Sequence, residues 1–323
     1  TNMIIDVRTY SWTNLDQLGR HMADRLMDRQ GERWTPVDAS ATAHERAMGC
    51  VDGALVMGFR SERLGARIPN ELVAEFVGKA PQKRAGIAGI DPTSADAMDE
   101  IRRAAGMGLV GVSVSPSCQG FHPAHSSAMR LYDECVKRGM PVFISGLDPL
   151  TAGAEMEFGR PGLWDEVARS FPELRIVVSQ LGHPWVDETL VLLSKHHHVY
   201  ADISGVASRP WQLYNALLSA TSFGVMDKLL FASGFPYEVP SKTIETMYSV
   251  NAFAHGTQLP TVPRAQIRGI VERNAAECLG IETGFAASEA SRIAAGGGAS
   301  GESREMEWEI LLRNEARGTR QNS

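Results

Sequence analysis

Short apolar runs alternate with segments of helical periodicity along most of this chain. The runs that predict buried strands are residues 3–7, 54–59, 84–90, 109–114, 142–144, 175–179, 199–203 and 229–232. Apolar residues spaced three or four apart predict helices over residues 41–50, 69–78, 94–106, 127–138, 163–171, 185–196, 211–219 and 265–279. Eight strands alternating with helices predict an α/β fold of the (β/α)8 TIM-barrel type. No GxGxxG or P-loop pattern follows a strand, which argues against nucleotide binding.

The barrel pattern stops near Ile281, so we predict two regions, a barrel over residues 1–281 and a tail over residues 282–323. Within the tail, residues 293–301 have the composition of a flexible glycine-rich linker. Residues 305–315 then predict a short amphipathic helix, which is marginal by itself. Its apolar face contains Trp308, Leu311 and Leu312, which we expect to contact a partner subunit or the chain's own barrel, with disorder as the third option.

Composition excludes several classes of protein. The 323 residues are 43% hydrophobic and 22% charged, with a net charge of -6 and a pI near 5.9, so nucleic acid is not an expected partner. No apolar run reaches the roughly 18 residues of a membrane span, and the first residues lack a signal-peptide pattern. The four cysteines show no CxxC spacing; they are Cys50, Cys118, Cys135 and Cys278. Reduced thiols in a cytoplasmic protein are therefore expected.

The last strand and its loop, KLLFASGFPY over residues 228–237, resemble the final barrel strand of the amidohydrolase superfamily. In the amidohydrolase-related branch that strand reads like LLFGSDYP. Other segments carry the same resemblance in the same order: IIDVRTY at 4–10, SCQGFHP at 117–123, MPVFISG at 140–146, IVVSQLGHPW at 176–185, VYADISG at 199–205 and RPWQLY at 209–214. The resemblance implies an amidohydrolase-like barrel.

The family's chemistry needs a divalent metal held by imidazoles and a carboxylate at the carboxyl ends of the strands. At the matching positions this sequence has Arg8 and Tyr10 in strand one, Ser145 in strand five, Gln180 in strand six and Gly234 in strand eight. A guanidinium is always charged and has no lone pair for a metal, and glycine has no side chain. The resemblance therefore implies a barrel that binds no cofactor at the standard site.

Histidines elsewhere offer a weaker possibility of a relocated metal site. His122 and His125 lie in the loop after the fourth strand, and His183 follows the sixth. Their loops give no defined ligand geometry, and hydrogen bonding within the loops is the simpler interpretation. The run of three histidines at 196–198 ends a predicted helix, where capping is favoured.

The resemblance leaves two functions open. The first is a supporting subunit of a heteromeric metalloenzyme, similar to the metal-deficient chain of the two-subunit, dinuclear-metal monooxygenase that hydroxylates 2-aminoisobutyrate. Its partner would be a homologous amidohydrolase-like subunit with an intact HxH site holding Fe, Mn or Zn, and hydrolase or decarboxylase chemistry is equally compatible. A ligand-binding barrel without catalysis is a third possibility that nothing in the sequence favours.

The second function is a metal-independent hydrolase similar to the family's lactonases. Arg8 would stabilise an oxyanion and Tyr10 would donate a proton. Asp148, Asp202 or Glu238 would serve as the base. The competing interpretation is that Arg8 forms a salt bridge with Asp148 or Asp202 and fills the vacated metal site.

Overall fold

A computed structural model describes residues 2–20, 22–24, 37–144 and 152–287. The strands of this part are β1 Ile5–Thr9, β2 Gly53–Met57, β3 Phe59–Ser61, β4 Ala66–Ile68, β5 Arg84–Gly89, β6 Gly111–Val114, β7 Val142–Ile144, β8 Ile176–Val178, β9 Val199–Asp202 and β10 Leu229–Leu230. Eight of them form one parallel sheet in the order β1-β2-β5-β6-β7-β8-β9-β10. The other two, β3 and β4, form an antiparallel hairpin after β2. The prediction of a (β/α)8 barrel is confirmed.

The first and last strands close the barrel. Val7 donates its backbone N–H to the Phe231 carbonyl at 3.1 Å, and Tyr10 donates to the Phe235 carbonyl at 2.9 Å. A parallel bridge joins Thr9 to Phe235 at the same seam. The seam therefore runs past β10 into the following loop.

Helices cover the outside of the barrel. Those with described bounds are α1 Ala41–Ala47, α2 Asn70–Gly78, α3 Ala97–Gly106, α4 Pro116–Gln119, α5 Ser126–Arg138, α6 Asp165–Ser170, α7 Val186–Lys195, α8 Pro210–Phe223, α9 Pro240–Tyr248, α10 Arg264–Val271 and α11 Ala275–Cys278. Among them, no helix combines the length and apolarity needed to cross a membrane.

Three local expectations were wrong. The helix predicted over residues 265–279 is two helices, α10 and α11, because Asn274 leaves helical geometry and its side chain accepts the Glu277 N–H to begin α11. The first strand lies at Ile5–Thr9 instead of residues 3–7, since polar Arg8 and Thr9 both find buried partners. The predicted loop after β6 contains α4.

The hairpin β3–β4 and helix α9 carried no clear sequence signal and were not predicted. All eight barrel strands are buried or nearly so along their whole length, as both faces of a parallel sheet are covered. Beyond residue 281, Phe285 and Ala287 still pack against the core. Trp308, Leu311 and Leu312 lie outside the described residues, so their partner contact stays a prediction.

Candidate functional site

The carboxyl ends of the barrel strands hold a buried polar network. Side chains of a strand alternate between its two faces, so Asp6 and Arg8 of β1, and Tyr10 directly after the strand, share the face toward the barrel interior. Thr9 points the opposite way and donates its hydroxyl to the Leu55 carbonyl at 2.8 Å. Strand β1 and the residue after it therefore place a carboxyl, a guanidinium and a phenol at the mouth of the barrel.

Arg8 joins three strands across this mouth. Its Nε donates to Oδ2 of Asp202, at the end of β9, at 2.7 Å. Its Nη2 donates to the carbonyl of Ile144, at the end of β7, at 3.2 Å. Its Nη1 lies 3.5 Å from the Tyr10 hydroxyl. With only 2% of its surface exposed, Arg8 is a buried brace within the described residues.

The adjacent carboxylate keeps Arg8 charged. Burial is the largest single influence on Arg8 and lowers the pKa of its guanidinium. The charge of Asp202, the Tyr10 phenol and the hydrogen bonds to both together outweigh burial, so the pKa of Arg8 is raised above its ordinary value. Arg8 is therefore a permanent cation at the place where the family's first metal ligand would stand.

Asp202 is fully used as an acceptor. Its Oδ1 accepts the backbone N–H of Gln180 at 3.1 Å, the N–H of Ser204 at 3.0 Å and the Ser204 hydroxyl at 2.5 Å, while Oδ2 accepts from Arg8. Asp202 is completely buried. These bonds tie the loops after β8 and β9 to β1, which is the structural role expected if Arg8 fills the vacated site. A carboxylate so enclosed is poorly placed to take a proton from a substrate.

A second carboxyl belongs to Asp6, two residues before Arg8 on the same face of β1. It was not identified as a site residue from the sequence. The Ser233 hydroxyl lies 2.5 Å from Asp6 Oδ2, and the N–H groups of Ser233 and Arg8 donate to Oδ1 at 3.1 and 3.2 Å. Burial raises the pKa of Asp6 to about 7, despite these hydrogen bonds. The period-two alternation from Arg8 was the signal that would have placed Asp6 in the site.

Of the remaining standard positions, the two that the structure describes, Gln180 and Gly234, supply neither an imidazole nor a carboxylate. Gly234 has φ +73 and donates its N–H to the Arg8 carbonyl at 3.1 Å. An added Cβ there would lie 3.3 Å from Ser204 Cβ, in a conformation that other residues rarely adopt. Gln180 also has a positive φ of 55. Ser145 and Asp148 lie outside the described residues.

The donors at these positions do not fit the family's divalent metal. They are a charged guanidinium, a phenol, an amide and a residue without a side chain, instead of imidazoles and a carboxylate. Among the residues that the structure describes, no three His, Cys, Asp or Glu side chains form a group that could hold a metal ion.

The three histidines proposed for a relocated site have local contacts. His122 Nδ1 accepts the N–H of Ala124 at 3.1 Å. His125 is exposed and caps α5, with its Nδ1 2.8 Å from the Ser127 hydroxyl. His183, half-buried, belongs to the loop after β8. Their assignment as metal ligands stays a prediction without a ligand group to support it.

Aromatic rings cover the mouth above Arg8. Tyr237 contacts both Tyr10, at 6.5 Å between ring centroids, and Trp12, at 6.3 Å. Tyr10 and Trp12 are buried, whereas 42% of Tyr237 is exposed. Glu238 beside it accepts the N–H of Val239 at 3.0 Å.

Comparison with known proteins places the fold. A family model described as Amidohydrolase matches residues 5–281. An uncharacterised TIM-barrel protein from Bordetella bronchiseptica is 20% identical, with a TM-score of 0.67 over 86% of this chain and 98% of that chain. No curated protein matches.

Two further solved structures are similar. They are 5-carboxyvanillate decarboxylase from Sphingomonas paucimobilis (16% identity, TM-score 0.59, 87% of this chain and 100% of that chain) and a probable 2-pyrone-4,6-dicarboxylic acid hydrolase from Acinetobacter baumannii (14%, 0.58, 86% and 99%). At these identities the likeness shows the fold alone.

Proposed function

Because this chain belongs to the amidohydrolase family, we propose that it is a supporting subunit whose homologous partner holds the metal. The partner carries an intact HxH motif and binds a divalent ion, Fe, Mn or Zn. The assembled enzyme is a hydrolase, a decarboxylase or a monooxygenase acting on a small molecule. This chain contributes a stable barrel and a docking surface.

The buried Arg8–Asp202 pair is the observation that carries this proposal. The pair occupies the mouth where family chemistry is performed, and Arg8 is a cation with only 2% of its surface exposed. A second cation beside it would be repelled in a region of low dielectric. Retention of the barrel with a structural ion pair in the mouth favours a scaffolding role.

A charge-free surface supports the existence of a partner. Helix α8 and residues 250–263 contain no Asp, Glu, Lys or Arg. They pack through Trp211 and Phe253, whose rings meet at 5.4 Å and which are 50% and 38% exposed. Exposed aromatic side chains without neighbouring charges are typical of the core of a protein interface. We assign this face, called the α8 face below, to the homologous subunit.

The test is co-expression of this chain, carrying an affinity tag, with its genomic neighbours. A homologous chain with an HxH motif is expected to co-purify in a fixed ratio, with the metal lost when that chain is omitted. Trp211→Glu and Phe253→Glu are expected to release the partner, because each places a charge in the interface. Val191→Glu, at a position 52% exposed on α7, is the matched control and keeps it.

The proposal is wrong if the isolated chain binds a stoichiometric divalent ion and turns over substrate unaided. It is equally wrong if no homologous chain is retained while the α8 face variants and the control elute identically.

A metal-independent hydrolase is the second candidate, because Arg8 Nη1 and the Tyr10 hydroxyl lie within 3.5 Å of each other as that mechanism needs. The pure chain would then hydrolyse lactones in the presence of a chelator. Tyr10→Phe would lower kcat by roughly 100-fold or more through loss of the proton donor. A lactone panel that shows no turnover above buffer rejects this candidate and leaves the supporting role untouched.

A further inference from the structure

A cavity of about 300 Å³ lies at the opposite end of the barrel from Arg8, where strands β7, β8 and β9 begin. Its walls come from the end of α5 and from the segments that enter these strands. The lining residues are Cys135, Val136, Gly139, Met140, Pro141, Glu173, Leu174, Arg175 and His198. The wall combines apolar side chains with the polar groups of Glu173, Arg175 and His198.

Arg175 lines this cavity and has an unpaired nitrogen. Its Nε is buried and has no hydrogen-bond partner among the described residues. The group is held against the backbone of Gly280, where an added Cβ would lie 2.7 Å from Cζ. A buried guanidinium nitrogen without a protein acceptor is costly, so a ligand that supplies an acceptor there is favoured.

His198 lies in the same wall and also has an unpaired nitrogen among the described residues. Its Nδ1 is buried without a hydrogen bond, and its ring packs edge-on against His197 at 4.6 Å. Burial and the nearby charges of His197, Arg175 and Lys228 lower its pKa, so the imidazole is neutral and carries one N–H donor near neutral pH. Glu173 is the opposing charge at the rim.

We propose that this cavity binds a compact oxyanion, a phosphate or a carboxylate group, with Arg175 and His198 as its donors. Arg175 supplies a fork of N–H groups that matches two oxygens of such an anion. His198 supplies a further donor from the neighbouring strand entry. Lys228, which donates to the carbonyls of His196 and His197, adds positive potential beside the site. A small ligand there would tie the entries of β8 and β9 together.

This inference does not depend on the proposed function, because the cavity and the barrel mouth lie at opposite ends of the strands. A ligand in the cavity acts on the stability of the barrel or on communication with a partner, without touching Arg8.

Thermal unfolding and isothermal titration with orthophosphate test the proposal, with sodium chloride at matched ionic strength as the blank. At about ten times its Kd, phosphate is expected to raise Tm by about 2–5 °C. Arg175→Met is expected to weaken binding by at least about tenfold through loss of the charged fork. Arg175→Lys keeps the charge and checks folding, with an intermediate affinity.

Arg138→Met is the matched control, because Arg138 lies at the end of α5 near the cavity but is bonded to Glu134 instead of lining the site. It is expected to bind phosphate as the unaltered chain does. Parallel titrations with acetate and succinate show whether a carboxylate is preferred to phosphate. Equal responses to all anions including chloride, no response to any, or an unchanged affinity in Arg175→Met each overturn the proposal.

Discussion

At the scale of single residues, Arg8 stands at a metal-ligand position of the family and forms a structural ion pair there. It donates to Asp202 on β9 and to the Ile144 carbonyl on β7, so one side chain holds three strands together at the mouth. Arg8→Met is expected to lower the free energy of unfolding by about 3–5 kcal/mol, because Asp202 is left charged and buried without its cation. Urea denaturation at neutral pH measures this loss.

The double variant Arg8→Met with Asp202→Asn is expected to recover part of the stability, since no buried charge then remains unpaired. Lys79→Ala, which breaks an exposed pair with Glu75, serves as control and leaves the unfolding midpoint unchanged. A double variant as unstable as the sum of its single variants would contradict the coupling.

The raised pKa of Asp6 predicts an unusual dependence of stability on pH. Its pKa is raised to about 7 in the folded chain, so between about pH 4 and pH 7 the folded state keeps a proton that the unfolded state releases. Its contribution is present at low pH and is lost as pH rises toward 7, by up to about 4 kcal/mol. Asp6→Asn, which imitates the protonated form, removes this dependence on pH.

The measurement is urea unfolding of both proteins at pH 5 and pH 8. The stability of Asp6→Asn relative to the unaltered chain is expected to increase from pH 5 to pH 8, because only the unaltered chain must ionise a buried carboxyl. A difference that is constant with pH would show that Asp6 does not titrate in this range.

At the scale of elements, the loop after β8 is tightly constrained. Gln180 and Leu181 both have a positive φ, of 55 and 51, and Gly182 follows with φ +66. A Cβ on Gly182 would lie 2.0 Å from Thr189 Oγ1. The loop thus packs directly on α7, which aligns the Gln180 N–H with Asp202.

Gly182→Ala is expected to lower the free energy of unfolding by about 2–5 kcal/mol, from left-handed strain and collision combined. Gly224→Ala, at the end of α8, has a similar φ of +69 but open space around its Cβ. Gly224→Ala is expected to lower the free energy of unfolding by only about 1–2 kcal/mol, from the left-handed strain alone. Equal losses in the two variants, measured by thermal unfolding, would show that the contact with Thr189 is unimportant.

At the scale of the molecule, the end of the barrel is set by packing. The Phe285 ring packs directly on Gly53 of β2. A Cβ added to Gly53 would lie only 2.3 Å from the nearest atom of that ring. The boundary at residue 281 stays a prediction, and truncation tests it. Ending the chain after residue 287 is expected to keep Tm within about 2 °C, whereas ending it after residue 281 lowers Tm by more than about 4 °C by uncovering β2.

The sequence by itself determined the barrel and the identities of the residues at its mouth. Strand and helix periodicity report burial on one or both faces of an element, which is a local property, so most of the barrel strands were found near their observed positions. The absence of metal-ligating side chains at Arg8, Tyr10 and Gly234 likewise follows from residue identity alone. Helix α9 and the hairpin β3–β4 escaped because their short segments lack a distinct period.

Only the tertiary structure decided which groups meet. Of the two candidates for Arg8, Asp148 lies outside the described residues, and the observed pair with Asp202 joins residues 194 positions apart. Asp6 and Ser233 are separated by 227 positions, and Arg175 and His198 enter the barrel on neighbouring strands. Such meetings depend on strand register and on closure of the sheet between β1 and β10, which no local pattern of hydrophobic and polar residues records.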